Sequence, residues 1–125
     1  MDDMPGLEPS FGSRGYMAHP ETLRIEPTKI TDYLLNKDHP VGGSKARFFN
    51  KQGFSLEKWE DLQSALRTHA ITNKISEIVK HEYGEKLIVE CSIKSPNGKE
   101  HCIRVVWNDH LDGKPPKLIT AHPLG

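Results

Sequence analysis

The sequence predicts an α+β domain in which N-terminal helices pack on a C-terminal antiparallel β-sheet of three to four strands. Apolar residues recur at helical spacing up to residue 69 and not beyond it. Segments rich in β-branched residues follow. The turn-forming run Ser95–Lys99 separates two of these segments, a pattern typical of a β-hairpin.

The first predicted helix has Thr28 as its N-cap, and its apolar face carries Ile30, Tyr33 and Leu34. It ends before Pro40, because the residue that precedes a proline is pushed towards extended geometry.

Two further helices are predicted. Ser44 caps a short one that stops near Gly53. The longest covers residues 56–69. Its buried stripe consists of Leu56, Trp59, Leu62 and Leu66, which recur at three- and four-residue steps.

The predicted sheet follows these helices. Residues 75–80 are ambiguous between strand and helix, whereas residues 87–94, 101–107 and 117–122 are predicted strands.

The hairpin signal also predicts how two of the strands pair. If Asn97-Gly98 is a two-residue turn, Ile93 faces Cys102 and Cys91 faces Arg104. One face of the hairpin is then apolar except for Arg104. Its other members are Leu87, Val89, Cys91, Ile93, Cys102 and Val106.

The chain divides into an arm and a domain. Residues 1–26 contain three prolines, three glycines and no apolar period, which predicts a flexible arm or linker. Residues 27–125 are predicted to form a single α+β domain. An arm of this kind is expected at the start of a C-terminal fragment of a longer polypeptide.

The charges balance, with 17 basic and 17 acidic residues. A net charge of zero argues against a protein that coats nucleic acid by bulk attraction. It leaves room for a local basic patch, which residues 37–51 provide. No apolar run approaches the roughly 20 residues of a membrane span, and the N-terminus lacks a signal-peptide pattern.

The two cysteines, Cys91 and Cys102, do not form a Cys-x-x-Cys pair, so a thiolate zinc site is not expected. On one face of the hairpin they would be diagonal neighbours. We expect two small buried thiols there rather than a disulfide, in a protein of a reducing compartment.

Residues 36–49 are the most informative stretch for function. His39 and Lys45 lie on either side of the turn-forming pair Gly42-Gly43, and Lys45 opens a predicted helix. Histidine exchanges protons near neutral pH. A lysine together with the free N–H groups of a helix start can hold an anion such as a phosphate. The stretch therefore suits phosphoryl chemistry.

Two groups of residues carry a resemblance to a known family. The first comprises Leu34-Leu35-Asn36, His39-Pro40, Gly42-Gly43, Lys45-Ala46, Phe49 and Gly53-Phe54. The second comprises Tyr83-Gly84, Pro96-Asn97-Gly98, Arg104, Trp107 and Leu118–Ala121. Together they resemble an uncharacterised bacterial family, marked by His-Pro-x-Gly-x-x-Lys-Ala, that is common as the C-terminal domain of polymorphic toxins.

The order of elements further resembles the ribonuclease group of barnase, EndoU, the tRNase colicins and RelE. The resemblance implies a metal-independent endoribonuclease that acts on RNA, in particular tRNA, without a cofactor. It also implies bacterial delivery into a target-cell cytoplasm as part of a larger effector. The implied partners are a cognate immunity protein and a host activating factor.

A ribonuclease of this kind needs a base for the ribose 2′-OH, an acid for the leaving oxygen, and cations for the phosphorane charge. His39 is the first candidate for base or acid, and Lys45 would hold the phosphate. Thr120 and His122 lie two apart on one predicted strand and therefore share a face, where they could supply a hydrogen bond and an acid.

The candidate substrate-binding residues are Arg47, Arg104 and Trp107. Arg104 would bind phosphate, or pair with Glu90 or Asp109 if the strand register differs by one. Trp107 would stack a base, or lie in the core. The other histidines show no metal-site spacing, so no metal is expected.

Two other interpretations remain open from the sequence. The surface acids and the neutral charge fit a non-enzymatic binding module of a secreted effector, a phage or a toxin–immunity system. The His39 segment would also fit a rigid helix–turn–helix cap on the structural tail of a secreted protein.

Overall fold

The computed structural model describes residues 15–17 and 19–124. Its elements are a 3₁₀ turn (Pro20–Thr22), helix α1 (Pro27–Lys29) continued by a π-helical segment (Ile30–Leu34), helices α2 (Gly43–Lys51) and α3 (Trp59–Thr72), and strands β1 (Ile75–His81), β2 (Gly84–Lys94), β3 (Glu100–Asp109) and β4 (Lys117–Pro123). The strands form one antiparallel sheet in the order β1-β2-β3-β4. The predicted α+β class is confirmed, and the ambiguous segment 75–80 is a strand.

The core lies between the helices and one face of the sheet. Its fully buried side chains include Ile30, Leu34, Phe49, Leu62, Leu66, Ile93, Ile103, Trp107 and Leu118. Burying a side chain of this size stabilises the fold by about 1.5–3 kcal/mol. The predicted burial of Leu62 and Leu66 is confirmed. Leu56 is 51% exposed, because α3 begins only at Trp59.

The helix starts differ from prediction by a residue or two. The N-cap of α1 is Glu26 rather than Thr28, and that of α2 is Gly42 rather than Ser44. The first helical residue of α2, Gly43, donates its N–H to the carbonyl of His39 at 2.9 Å, which places Ser44 inside the first turn.

The predicted hairpin exists, but its register is shifted by one residue. Cys91 pairs with Ile103, and Glu90 pairs with Arg104. The cause is a turn with three residues between Ser95 and Lys99, where Gly98 adopts φ 82° and the N–H of Ser95 donates to the Lys99 carbonyl at 3.2 Å. The predicted core face of β3 is therefore wrong, since a one-residue slip exchanges the faces.

On β3 the core face consists of Ile103, Val105 and Trp107, all fully buried. Arg104 consequently lies on the opposite face rather than among apolar side chains.

The described part of the predicted arm packs onto the domain. Met17, Leu23 and Ile25 are buried in the core. Arg24 forms an isolated β-bridge with Lys117 at the start of β4. The N–H of Arg24 donates to the carbonyl of Pro116, and the N–H of Leu118 donates to the carbonyl of Arg24, each at 2.9 Å. Residues of the predicted arm thus contribute to the core, and residues 1–14 lie outside the described residues.

The cysteines also depart from prediction. Cys91 on β2 and Cys102 on β3 form a disulfide, so the expectation of two buried thiols is wrong. Cys91 is exposed, and its backbone adopts φ 115°, an angle that residues other than glycine rarely adopt.

A polar row crosses the sheet on the face that points away from the helices. Glu90 on β2, Arg104 on β3 and His122 on β4 are register neighbours. Thr120 shares this face with His122, because side chains alternate along a strand and the intervening Ala121 is buried. The β4 end of this row is where the candidate site residues meet.

Candidate functional site

Tyr33 lies at the centre of the candidate site. Its ring projects from the π-helical segment, where the N–H of Leu35 donates to the carbonyl of Ile30 at 2.8 Å. That segment buries Ile30 and Leu34 and leaves Tyr33 partly exposed. The Tyr33 hydroxyl lies 3.2 Å from the hydroxyl of Thr120 and so connects the segment to β4.

The turn before α2 packs closely against the Tyr33 ring at Gly42. A Cβ at Gly42 would lie 2.8 Å from Cδ1 and 2.8 Å from Cε1 of Tyr33. Since Gly42 has an ordinary helical φ of −89°, glycine is needed there for close approach rather than for backbone freedom.

His39 forms the same turn. Its Nδ1 accepts N–H groups from Val41 at 3.0 Å and Gly42 at 2.9 Å, which leaves the ring proton on Nε2. The imidazole also meets the Tyr33 ring edge-on, with centroids 5.0 Å apart. His39 therefore shapes the turn and supports Tyr33.

Two lysines flank the Tyr33 ring. Lys29 Nζ lies 5.2 Å and Lys45 Nζ 5.5 Å from its centroid. Burial raises the pKa of Tyr33, but hydrogen bonds with Thr120 and Lys45 and the charges of both lysines lower it overall below its usual value.

His122 lies near Lys45 as well. Ser44, Lys45, His122 and Pro123 line an open depression of about 400 Å³. Burial lowers the pKa of His122 below its usual value, the positive charges of Arg104 and Lys45 lower it further, and the Glu90 carboxylate opposes them. His122 is therefore a neutral imidazole at neutral pH, in the form that can accept a proton.

Arg104 is held next to His122 by an ion pair. Its Nε donates to Glu90 Oε2 at 2.6 Å, and the Arg104 side chain remains 40% exposed. One edge of the guanidinium is thus fixed, while its other N–H groups can meet an anion on the open face.

The structure brings four predicted site residues together, namely His39, Lys45, Thr120 and His122, with Arg104 beside them. Arg47 is exposed on α2. Trp107 is fully buried in the core, where it has no face on which a base could stack. Among residues 15–17 and 19–124, no cluster of three or more metal-binding side chains is present.

A family model for a domain of unknown function, DUF6883, matches residues 17–125. The chain belongs to the DUF6883 family. The match begins at Met17, the first buried residue of the described chain, and it includes every residue of the candidate site. No functionally curated protein is significantly similar to the chain in sequence.

The fold of this DUF6883 domain occurs in a solved structure. It is similar to a chain of the contact-dependent growth inhibition toxin–immunity protein complex from Klebsiella pneumoniae 342, with a TM-score of 0.64 and 15% identity. The similarity covers 80% of this chain and 98% of that chain. In the described part of the DUF6883 domain, no helix is long and apolar enough to cross a membrane.

Sequence reasoning missed Tyr33 and Glu90 as members of this site. Tyr33 falls on the apolar period of the first helix, which hides it among core residues. The close approach of the ring to Gly42, which would have indicated it, is a tertiary contact that no local sequence pattern reports. The sequence offers Glu90 only as one of two possible partners of Arg104, and the shifted register makes it the partner observed.

Proposed function

We propose that this DUF6883 domain is the C-terminal toxin domain of a bacterial effector and acts as a metal-independent endoribonuclease, with tRNA as its substrate. One observation carries the proposal. A partly buried imidazole with a lowered pKa, His122, shares an open depression with the ammonium of Lys45. A proton acceptor beside a fixed cation is what transfer of a phosphoryl group to a neighbouring hydroxyl requires.

In the proposed reaction, His122 takes the proton of a ribose 2′-OH. The 2′-oxygen bonds to the adjacent phosphorus, and the bond from phosphorus to the 5′-oxygen breaks. The products are a 2′,3′-cyclic phosphate and a new 5′-hydroxyl. Lys45 and the free edge of Arg104 stabilise the charge that develops on the phosphorane oxygens.

The other predicted residues take supporting roles in this proposal. Thr120 donates or accepts a hydrogen bond at the edge of the phosphate site. His39 positions the turn and the Tyr33 ring rather than exchanging a proton itself. Arg47, exposed on α2, would contact the RNA backbone outside the reacting linkage.

The fold similarity supports the setting of the proposal. The similar solved chain belongs to a complex of a growth inhibition toxin with its immunity protein. By analogy, this domain would enter the cytoplasm of a target cell as part of a larger effector, and a cognate immunity protein would neutralise it. A host factor that activates cleavage is a further partner in this proposal.

The test is cleavage of total bacterial RNA by the purified domain in EDTA, read on a denaturing gel. We expect discrete tRNA-sized fragments from the parent protein and none from His122→Ala or Lys45→Ala. His110→Ala, in the exposed loop after β3, is the matched control and should cleave like the parent. Intact RNA from the parent, with and without a lysate of the target bacterium, would contradict the proposal.

A second candidate function is a non-enzymatic binding module of the same system. It is favoured by the zero net charge and by the fact that the similar solved chain comes from a complex that contains an immunity protein as well as a toxin. Expression in the bacterial cytoplasm separates the two. A toxin arrests growth, and the His122→Ala variant does not; a binding module arrests growth in neither form.

A further inference from the structure

The surroundings of Tyr33 are more elaborate than its packing requires. Its neighbours Ile30 and Leu34 already fill the core with fully buried side chains. The ring is nevertheless fixed by a π-helical segment, by Gly42, where a Cβ would lie 2.8 Å from the ring, and by the His39 ring, which meets it edge-on. π-Helical turns are rare and often occur at functional sites.

These contacts all hold the ring and leave its hydroxyl at the β4 end of the open face. The hydroxyl meets Thr120 at 3.2 Å, two residues from His122 along the strand. Lys45 approaches both the Tyr33 ring and the depression that contains His122. The phenol and the imidazole thus both lie near the ammonium of Lys45.

We infer that Tyr33 is a catalytic residue, the proton donor to the leaving 5′-oxygen. This inference rests on the proposed ribonuclease function. In the proposed step His122 accepts the 2′-OH proton, the 2′-oxygen bonds to phosphorus, and the bond to the 5′-oxygen breaks. The 5′-oxygen takes the Tyr33 proton and leaves as a hydroxyl. The phenolate regains a proton from solvent, and the His122 imidazolium releases one to it, so no net proton is consumed.

The groups around Tyr33 favour this role. Its charged and titratable neighbours are Lys29, Lys45 and His39, and His122 follows Thr120 by two residues on β4. The two lysines and the Thr120 hydroxyl stabilise a phenolate, and this stabilisation lowers the pKa of the phenol and makes it a stronger acid. His39 is less suited, because its Nδ1 is held by two backbone N–H groups and its ring lies against Tyr33.

The test uses Tyr33→Phe, which removes the hydroxyl and keeps the ring between the lysines. The matched control is Tyr83→Phe, since Tyr83 is exposed in the turn between β1 and β2. Under single-turnover conditions we expect Tyr33→Phe to cleave RNA at least about 100-fold more slowly than the parent. We also expect the alkaline limb of its pH–rate profile to disappear, because that limb reports ionisation of the donor.

A second substrate separates an acid from a merely structural residue. Once the cleaved linkage is mapped, an RNA with sulfur in place of the 5′-bridging oxygen at that linkage provides a leaving group that needs no proton. Tyr33→Phe should cleave this RNA within about 5-fold of the parent rate, since general-acid catalysis no longer contributes.

The outcomes separate the two proposals. Equal losses on both RNAs, or no loss on either, would overturn the role of Tyr33 while the ribonuclease function stands. A parent protein that cleaves neither RNA would overturn the ribonuclease function itself, and the role of Tyr33 with it.

Discussion

The backbone of Gly42 lies against the ring of Tyr33, so closely that a methyl group at position 42 would overlap two ring carbons at 2.8 Å. The glycine of the His39 turn and the aromatic residue of the π-helical segment therefore form one unit. Any side chain at position 42 must move the ring, the turn, or both.

Under the proposed ribonuclease function, we predict that Gly42→Ala reduces RNA cleavage by at least about 10-fold, because displacing the proposed proton donor by even an ångström disrupts its geometry. Overpacking of this kind also costs about 1–3 kcal/mol of unfolding free energy, measurable by thermal or urea unfolding. Val41→Ala, an exposed change in the same turn, should leave both quantities unchanged. Full activity and stability in Gly42→Ala would refute the close contact.

The pKa of His122 should respond in opposite directions to two neighbouring substitutions. Lys45→Gln removes a positive charge and raises the pKa, whereas Glu90→Gln removes a negative charge and lowers it further. NMR titration of the His122 ring measures both shifts directly. Lys51→Gln, at the far end of α2, should produce no shift. Shifts of the same sign from the two variants would contradict the arrangement of charges around His122.

The acid stability of the fold should depend on His69. This residue is 1% exposed, and its Nε2 donates to the carbonyl of Cys91 at 2.9 Å. Burial lowers the pKa of His69 below its usual 6.5, and the hydrogen bond to Cys91 only partly offsets this. The unfolded chain then binds more protons than the folded chain once the pH falls below about 6.5.

Unfolding free energy should therefore fall below about pH 6.5, by up to about 1.4 kcal/mol per pH unit, until the pH reaches the folded-state pKa. His69→Gln keeps an N–H donor for Cys91 but does not titrate, so it should flatten this part of the stability profile. His110→Gln, an exposed change, is its control. Parallel profiles for His69→Gln and the parent would show that another group is responsible.

Reduction should weaken the β2–β3 hairpin. The disulfide joins residues 11 apart, and closing so short a loop stabilises a fold by at most about 3 kcal/mol. We expect a dithiol reductant to lower the Tm of the parent and to leave that of Cys91→Ser/Cys102→Ser unchanged. Two reactive thiols in protein that was purified without reductant and then denatured would contradict the disulfide.

The order of the elements and most of their limits follow from local patterns. The helical spacing of Leu62 and Leu66 predicts α3, and the β-branched segments predict the strands. Both patterns depend only on residues that are close together in the sequence. The hairpin register could not be predicted from such patterns. It depends on whether Gly98 takes the left-handed conformation and lengthens the turn by one residue. That single dihedral angle decided which face Arg104 occupies.

The site was harder to predict than the fold for the same reason. Residues two apart on a strand, such as Thr120 and His122, share a face whatever the rest of the fold does. The direction of the His39 ring depends instead on the backbone N–H groups of Val41 and Gly42. Tyr33 is placed by a π turn, which has no recognisable local sequence pattern.

Because of that π turn, the number of residues between Ile30 and Leu35 should distinguish related domains that have the proposed activity from those that lack it. A relative with one residue fewer there would close an ordinary α-helical turn and keep its core side chains with little change. Every residue before the deletion would rotate by about 100° relative to those after it. The aromatic residue would then leave β4, so a one-residue gap at this place in related domains should mark proteins that fold but lack the activity proposed for this site.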